Sequence, residues 1–294
     1  MARILVAGCG FVGLATARLF HRGGYDVIGL VSHEESARKH SHERFPVHNM
    51  DLTDREALKK LGGSFDVVIN CAAPEESSEP AYQKIYLDGN KALIDTFAPA
   101  KILFTGSTSV YTQVDGSWVT EDAPALPERA TGKILREAED IVLKAGGYVA
   151  RLSGIYGPGR SVLLRKFLDG SAIIEGDGSR IINQVHRDDA AGALFYLIAW
   201  HCDPGIYNVT DDSPVTQFES YQWLSEHFKV PIPPSGPVNL ERKRGWNNRL
   251  ISNAKLHATG WRCRYPSFKE AVAEIAPSLV VQGRAGNVLR SAIG

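Results

Sequence analysis

Residues 3–13 read Arg-Ile-Leu-Val-Ala-Gly-Cys-Gly-Phe-Val-Gly, a short apolar run followed by three spaced glycines. The first five residues of this stretch are typical of a buried strand, and a helical pattern follows over residues 11–22. Glycines spaced G-x-G-x-x-G between a strand and a helix bring backbone N–H groups and the positive helix end to a phosphate. In this interpretation Gly8 makes the tight turn, Gly10 lets the backbone approach a pyrophosphate, and Gly13 lets helix and strand pack closely. The stretch therefore predicts a dinucleotide site.

Short apolar runs alternate with helical segments up to residue 152, which predicts an α/β fold with a doubly wound parallel sheet, the Rossmann arrangement. The predicted strands are Arg3–Ala7, Asp26–Val31, Val47–Met50, Phe65–Asn70, Lys101–Thr105 and Tyr148–Leu152. The predicted helices are Phe11–Arg22, Asp54–Leu61, Ala81–Phe97 and Thr131–Ala145.

The alternation ends near Tyr156, where glycine turns and two separate helices, Asp188–Trp200 and Thr216–Phe228, take over. We therefore expect a Rossmann domain over residues 1–155 and a smaller C-terminal substrate-binding lobe over residues 156–294, interleaved near the boundary. The proline-rich residues 231–237 predict an extended loop, because each proline fixes its own φ and disfavours helix before it. No period is assigned to the last 15 or so residues.

The composition narrows the class of ligand. Lys plus Arg and Asp plus Glu both number 33, so the net charge favours neither nucleic acid nor an anionic membrane as partner. The four cysteines form no C-x-x-C pair, which argues against a disulfide framework or a zinc site, and no metal is predicted. With no apolar run of membrane-spanning length and no signal-peptide core, we expect a cytoplasmic protein with a small-molecule substrate.

The end of the second predicted strand bears on the choice of cofactor. A site that prefers NAD usually carries Asp or Glu there for the ribose 2′-hydroxyl, and this chain has Val31. Glu34 would oppose a 2′-phosphate, but four nearby groups could hold one, so the pattern favours NADP, with NAD as the alternative. These groups are Ser32, His33, Arg38 and Lys39. Asp51 and Leu52 are expected to contact adenine, with capping of the next helix as the alternative for Asp51.

Several segments after the glycine loop carry short motifs whose order along the chain is informative. They are Asn70-Cys71-Ala72-Ala73, residues 104–111 (Phe-Thr-Gly-Ser-Thr-Ser-Val-Tyr), residues 151–159, Gly176-Asp177-Gly178, residues 183–189, Tyr207-Asn208-Val209 and Gly260-Trp261. Together with the glycine loop, they resemble the extended short-chain dehydrogenases/reductases, in particular the NAD-dependent epimerase/dehydratase family. The resemblance implies an NAD(P)-dependent oxidoreductase or epimerase/dehydratase acting on a sugar, a nucleotide-sugar or a related hydroxy compound. The cofactor contacts expected on these grounds are Gly8, Gly10, Phe11, Val12, Gly13, Ser32, His33, Asp51, Leu52, Cys71, Ala72, Ala73 and Ile155.

In that family a Ser or Thr after the fifth strand holds the reacting substrate group, a position matched by Ser107. A Tyr then acts as acid or base, and a Lys four residues on lowers the Tyr pKa. Alignment on Gly132 places Thr131 and Leu135 at the Tyr and Lys positions. Threonine titrates far above physiological pH and leucine carries no charge, so the usual relay cannot be built from them. Lys133 lies about 200° around the helix from residue 135 and is no simple substitute. The chain thus resembles an atypical member.

Tyr86 is the predicted surrogate acid beside Ser107, although a tyrosine packed against the sheet is an equally plausible interpretation. The resemblance implies substrate contacts at Thr108, Tyr111, Asn183, His186 and Arg187. One Arg and one His there would suit a phosphate or carboxylate, while His186 could instead be a buried strand-end histidine. The basic run Arg242-Lys243-Arg244 is interpreted as solvated.

In relatives the helices predicted here at Ala81–Phe97 and Thr131–Ala145 pair across a two-fold axis, which implies a homodimer. Residues 134, 135, 138, 141 and 142 form an apolar stripe that could serve that interface or cover the sheet. The missing Tyr and Lys also leave a second function open, a non-catalytic NAD(P)-binding sensor or interaction protein.

Overall fold

A computed structural model describes residues 1–239 and 247–279. A seven-stranded parallel sheet forms its centre, in the spatial order β7-β6-β5-β4-β1-β2-β3. The strands are β1 Arg3–Ala7, β2 Asp26–Val31, β3 Val47–Asn49, β4 Val67–Asn70, β5 Lys101–Ser107, β6 Tyr148–Leu152 and β7 Gly205–Val209. The strand order reverses between β1 and β4, which is where open α/β sheets bind ligands.

Helices cover both faces of the sheet and build the C-terminal half. They are α1 Phe11–Arg22, α2 Glu34–Lys39, α3 Arg55–Lys59, α4 Glu79–Tyr82, α5 Gly89–Phe97, α6 Ala130–Lys144, α7 Val162–Leu168, α8 Arg187–Ala199, α9 Gln217–Phe228, α10 Ala254–Ala258 and α11 Phe268–Leu279. A π-helical segment, Gln83–Asp88, joins α4 to α5. Two-residue and three-residue strands, such as Gly154–Tyr156 paired with Gln184–His186, connect the later helices.

The sheet is buried on both faces because alternate residues of each strand point to opposite sides. In β1, Ile4 and Val6 pack in the core beneath α1 and α8. Leu5 and Ala7 pack in the core on the other side, beneath α5 and α6. All four are fully buried, as expected for a parallel strand covered on both faces.

The doubly wound α/β fold is confirmed, with one strand beyond the six that the sequence predicts. That strand, β7, pairs in parallel with β6, and α8 packs against α1 on the same sheet. Both elements lie after residue 155, so that boundary does not divide the layers of the fold. A smaller core of α7, α9 and α11 forms the rest of the C-terminal half. The prediction also omitted α2, α7, α10 and α11.

No helix within residues 1–239 and 247–279 combines the length and the apolar character needed to cross a bilayer. The last residues, which carry no predicted period, lie outside the described part of the chain.

Candidate cofactor and substrate site

The three glycines of the loop after β1 meet different surroundings. Gly8 has φ +84°, and a Cβ built on it would lie 2.4 Å from the Ala72 Cα. A Cβ on Gly13 would lie 2.1 Å from the Gly8 carbonyl oxygen. A Cβ on Gly10 would meet nothing within 4 Å. Gly8 and Gly13 are thus required by the fold, whereas the space beside Gly10 is an open cradle that fits a pyrophosphate.

The first turn of α1 directs backbone N–H groups that no side chain caps toward this cradle. Gly10 is the N-cap, no side chain caps the helix, and its first turn contains no acidic residue. Uncapped N–H groups at a helix N-terminus carry partial positive charge and bind phosphate oxygens. Val12 is buried behind the loop, while Phe11 is half-buried beside it. The loop therefore has the geometry and the polarity that a dinucleotide pyrophosphate needs.

The loop after β4 packs closely against Gly8 and is held by two buried asparagines. The Ala72 N–H donates to Asn70 Oδ1 at 3.1 Å, and Asn70 Nδ2 donates to Asn90 Oδ1 at 2.9 Å. Asn90 Nδ2 in turn donates to the Tyr86 carbonyl oxygen at 2.8 Å. Both asparagines are fully buried, so this chain of bonds ties the cofactor loop to the π-helical segment that carries Tyr86.

Three further residues predicted to contact the cofactor lie on the loop after β4 or in the strand Gly154–Tyr156. Cys71 is half-buried, and burial raises its thiol pKa, so it packs as a neutral group. Ala73 is exposed at the loop surface. Ile155 lies half-buried in the strand Gly154–Tyr156 and packs against the core beneath α1.

At the end of β2 the basic side chains already lie beside carboxylates. His33 Nε2 lies 2.5 Å from Glu75 Oε1. Arg38 pairs with Glu34 at 2.6 Å, and Lys39 pairs with Glu35 at 2.8 Å. Ser32 and these side chains are exposed. The cations expected to hold a 2′-phosphate thus stand in a region with three carboxylates.

Asp51 and Leu52, which were expected at the adenine, have other contacts in the structure. Asp51 Oδ1 accepts bonds from the N–H and hydroxyl of Thr53, and its Oδ2 pairs with Lys84 at 2.7 Å. Leu52 is 6% exposed and packs beside Gly89 in the core. Asp54, rather than Asp51, caps α3 by accepting from the Ala57 N–H.

Ser107 closes β5 and is half-buried at the same edge of the sheet. Its Oγ accepts the Ser109 N–H at 3.2 Å and so caps a short 3₁₀ turn, Thr108–Val110. The hydroxyl proton of Ser107 remains able to donate to a substrate oxygen, because that bond uses only an acceptor lone pair. Thr108 is 8% exposed, and its carbonyl oxygen accepts a bond from Arg249.

Arg249 is a buried cation next to Ser107 that the sequence did not single out. It is 5% exposed, and its terminal nitrogens donate to the carbonyl oxygens of Thr108 at 2.8 Å and Gln113 at 3.2 Å. No carboxylate of residues 1–239 or 247–279 forms an ion pair with it. Burial lowers the pKa of Arg249 to about 10, so the group stays charged at neutral pH. A desolvated cation of this kind attracts an anionic ligand.

Tyr111 lies in the core below Ser107, with 2% of its surface exposed. Its hydroxyl donates to Asn208 Oδ1 at 2.9 Å, and the Arg151 guanidinium lies 4.7 Å from its ring centroid. Arg151 forms a buried bidentate pair with Glu139, at 3.0 and 2.7 Å. The hydroxyl proton of Tyr111 is thus used within a structural network, which leaves only its oxygen lone pair to accept a bond from a ligand.

The first turns of α6 carry Thr131 and Leu135. Thr131 is half-buried and Leu135 is 3% exposed, packed in the core beneath the helix. Lys133 is exposed on another face. Tyr86 is half-buried on the π-helical segment, with its ring edge-on to Phe104 at 5.6 Å. Packing against the sheet thus accounts for the position of the Tyr86 ring.

The three residues expected to bind substrate from the C-terminal half each have contacts of their own within the protein. The Asn183 side chain donates to the Arg249 carbonyl and accepts from the Ile251 N–H, both at 2.9 Å, so it joins two backbone segments. His186 is fully buried and its Nδ1 accepts the Asp188 N–H, which caps α8. Arg187 lies over the ring of Phe11, beside the glycine loop.

Arg160, which directly follows Gly157-Pro158-Gly159, also lies over Phe11 and was not predicted. Its position directly after a glycine turn is the sequence feature that could have identified Arg160 as a candidate site residue. Nothing in the sequence distinguishes Arg249 from the basic run at residues 242–244, which lies outside the described residues.

Comparison with known proteins agrees with this geometry. The profile of the NAD dependent epimerase/dehydratase family matches residues 4–210. Protein YeeZ of Escherichia coli (strain K12) is 26% identical over 278 residues, which cover 90% of this chain and 97% of that protein. The dTDP-4-dehydrorhamnose reductase of Mycolicibacterium smegmatis is 25% identical over 217 residues, covering 69% of this chain and 66% of that enzyme.

Solved structures show the same fold. The dTDP-glucose 4,6-dehydratase of Bacillus anthracis, solved in complex with NAD, superposes with a TM-score of 0.81. The match covers 98% of this chain and 100% of that chain, at 18% sequence identity. At this identity the likeness concerns the fold alone.

Proposed function

Because this chain belongs to the NAD-dependent epimerase/dehydratase family, we propose that it is an NAD-dependent enzyme that oxidises, reduces or epimerises a hydroxyl-bearing carbon of a sugar. The proposed substrate is an anionic sugar derivative of the nucleotide-sugar class. A reductase named for a dTDP-linked sugar is among its relatives in sequence, which supports this class.

One observation carries the proposal. At the carboxyl edge of the sheet, the buried Arg249 cation is bonded to the backbone of Thr108, next to Ser107. The open cradle at Gly10 lies at the same edge, because β1 and β5 run parallel in one sheet. Cofactor and anion sites on one edge would place a sugar hydroxyl near Ser107 and a phosphate near Arg249.

A bound nicotinamide supplies a hydride acceptor or donor, and the chain must orient the substrate hydroxyl and move its proton. We propose that Ser107 does the orienting through its hydroxyl, which caps the 3₁₀ turn by accepting one bond. No Tyr/Lys pair is proposed, since residues 131 and 135 are threonine and a buried leucine. Tyr86 is the proposed acid. Its segment is linked to the cofactor loop through Asn90, and π-helical segments often occur at functional sites.

For the cofactor we propose NAD rather than the NADP favoured by the sequence pattern. Arg38 and Lys39 are paired with Glu34 and Glu35, and Glu75 lies beside His33. Carboxylates at the end of β2 accept bonds from a ribose hydroxyl and repel a 2′-phosphate.

A homodimer through α5 and α6 stays a proposal. Leu135, Ala138 and Val142 of the predicted stripe are buried in the core, which leaves Ile134 and Ile141 half-buried for an interface. Sedimentation of the wild type and of Ile141→Glu would test this. We expect dimer for the wild type and monomer for the variant, and a monomeric wild type would contradict it.

The second candidate is a protein that binds the dinucleotide without turnover, favoured by the buried Leu135 in place of a charged relay. Single-turnover absorbance of reduced nicotinamide, with a panel of nucleoside diphosphate sugars, separates the two. We expect hydride transfer in the wild type, a loss of about 10²-fold in Tyr86→Phe and in Ser107→Ala, and an unchanged rate in Ser109→Ala. Binding of NAD with no transfer to any sugar would favour the second candidate instead.

A further inference from the structure

A tight turn in the C-terminal half, residues 157–160, contacts Phe11, the first residue of α1. Gly157 and Arg160 exchange backbone hydrogen bonds at 2.8 and 2.9 Å, and the Gly159 N–H donates to Ser278 Oγ at 2.8 Å. A Cβ on Gly157, where φ is +156°, would lie 3.3 Å from Phe11 Cζ. The turn is therefore held in place while it contacts the glycine loop.

Two arginines from this half of the chain lie close to the Phe11 ring. The guanidinium carbon of Arg160 lies 5.2 Å from the ring centroid, and that of Arg187 lies 5.4 Å from it. Arg187 Nε is bonded to Asp188 Oδ1 at 2.8 Å. A guanidinium has four further N–H donors on its two terminal nitrogens, so this bond leaves Arg187 able to bind a second acceptor.

We propose that Arg160 and Arg187 form a clamp on the cofactor pyrophosphate, closing over it from the C-terminal half. The inference goes beyond the proposed reaction and rests on dinucleotide binding. Phe11 is the first residue of α1, where a Rossmann pyrophosphate sits. The glycine loop itself, residues 8–13, supplies backbone N–H groups but no cationic side chain. The planar fork of arginine matches the oxygens of a phosphate and supplies the charge that the loop lacks.

The clamp selects for the diphosphate bridge of the ligand. The arginines lie at the start of α1, whereas the groups that distinguish NAD from NADP lie at the end of β2. Removing either guanidinium should therefore weaken the binding of NADH and of NADPH by the same factor. The affinity for a nucleoside that lacks the diphosphate should not change.

The test is titration of the full chain with NADH and with adenosine, followed by NADH fluorescence and by calorimetry. Arg160→Gln and Arg187→Gln are the probes, and Arg160→Lys keeps the charge without the fork. Arg22→Gln is the matched control, because it removes the same charge from the other end of α1, about 16 Å away. A melting temperature for each variant separates binding from folding.

We expect each Gln variant to raise the Kd for NADH about tenfold, with Arg160→Lys intermediate and Arg22→Gln unchanged. The Kd for adenosine should stay within about twofold in all of them. Wild-type affinity for NADH in both Gln variants would overturn the clamp and leave the proposed function standing. An equal loss for adenosine would also overturn it, because the arginines would then only support the fold. A wild type that binds no NADH would overturn both proposals.

Discussion

Replacing Gly10 by alanine separates the needs of the cofactor from the needs of the fold. The new methyl group would meet no protein atom within 4 Å, so the folded chain has room for it. Alanine is a poorer N-cap residue than glycine, so the substitution should lower the free energy of unfolding by only about 0.5–1 kcal/mol. The methyl group does fill the cradle. If the pyrophosphate loses one charge-assisted hydrogen bond worth about 1.5–3 kcal/mol, the Kd for NADH rises about 10- to 150-fold.

Gly13→Ala is the matched variant on the same loop. Its Cβ would lie 2.1 Å from the Gly8 carbonyl oxygen and 3.0 Å from Cys71 Cβ, so the backbone must move by about 1 Å. Overpacking of this severity costs about 3 kcal/mol, which a helical Gly→Ala gain of about 0.5–1 kcal/mol offsets only in part.

Urea unfolding and NADH titration of both variants give the result. We expect Gly10→Ala to unfold close to the wild type and bind NADH poorly, and Gly13→Ala to unfold at clearly lower urea. If Gly10→Ala bound NADH with wild-type affinity, the cradle would not be the pyrophosphate site.

Three further predictions follow from buried or paired charges. Glu139→Gln should lower the free energy of unfolding by about 3–5 kcal/mol in urea, because it leaves the buried Arg151 cation without its carboxylate; a loss under about 1 kcal/mol would contradict this. Burial, with nearby carboxylates, raises the pKa of Asp211 well above its usual range, so the folded state keeps a proton that the unfolded state loses above about pH 4. The contribution of Asp211 to stability should therefore fall as pH rises from about 4, so the melting temperature of Asp211→Asn should rise relative to the wild type as pH increases; a difference that does not change with pH would refute this. Glu75→Gln should narrow the preference for NADH over NADPH in paired titrations, and an unchanged ratio would contradict the role given to that carboxylate.

The sequence predicts the cofactor half of the site well because local pattern and chemistry coincide there. The glycine loop joins a strand to a helix, and the bounds of β1, β2, β6 and α1 agree with the prediction. The sequence pattern did not predict β7, because this strand follows the point at which the alternation of strands and helices ends. The π-helical geometry of Gln83–Asp88 was not predicted, because this sequence is equally compatible with an α-helix.

The substrate side was harder to predict because its residues are brought together by distant segments. Tyr111 and Asn183 have residue types that suit a pocket, but long-range partners decide their roles: Asn208 takes the tyrosine hydroxyl, and residues 249–251 take the asparagine amide. Arg249 reaches Thr108 across 141 positions of the chain. No local spacing could reveal that contact.

A crystal structure with NAD and a nucleoside diphosphate sugar bound would show whether cofactor and substrate meet at Ser107. We expect the cofactor pyrophosphate beside Gly10, a sugar hydroxyl within hydrogen-bond distance of Ser107 Oγ, and the sugar diphosphate near Arg249. A nicotinamide that lies away from Ser107, with no substrate atom near that hydroxyl, would contradict this expectation.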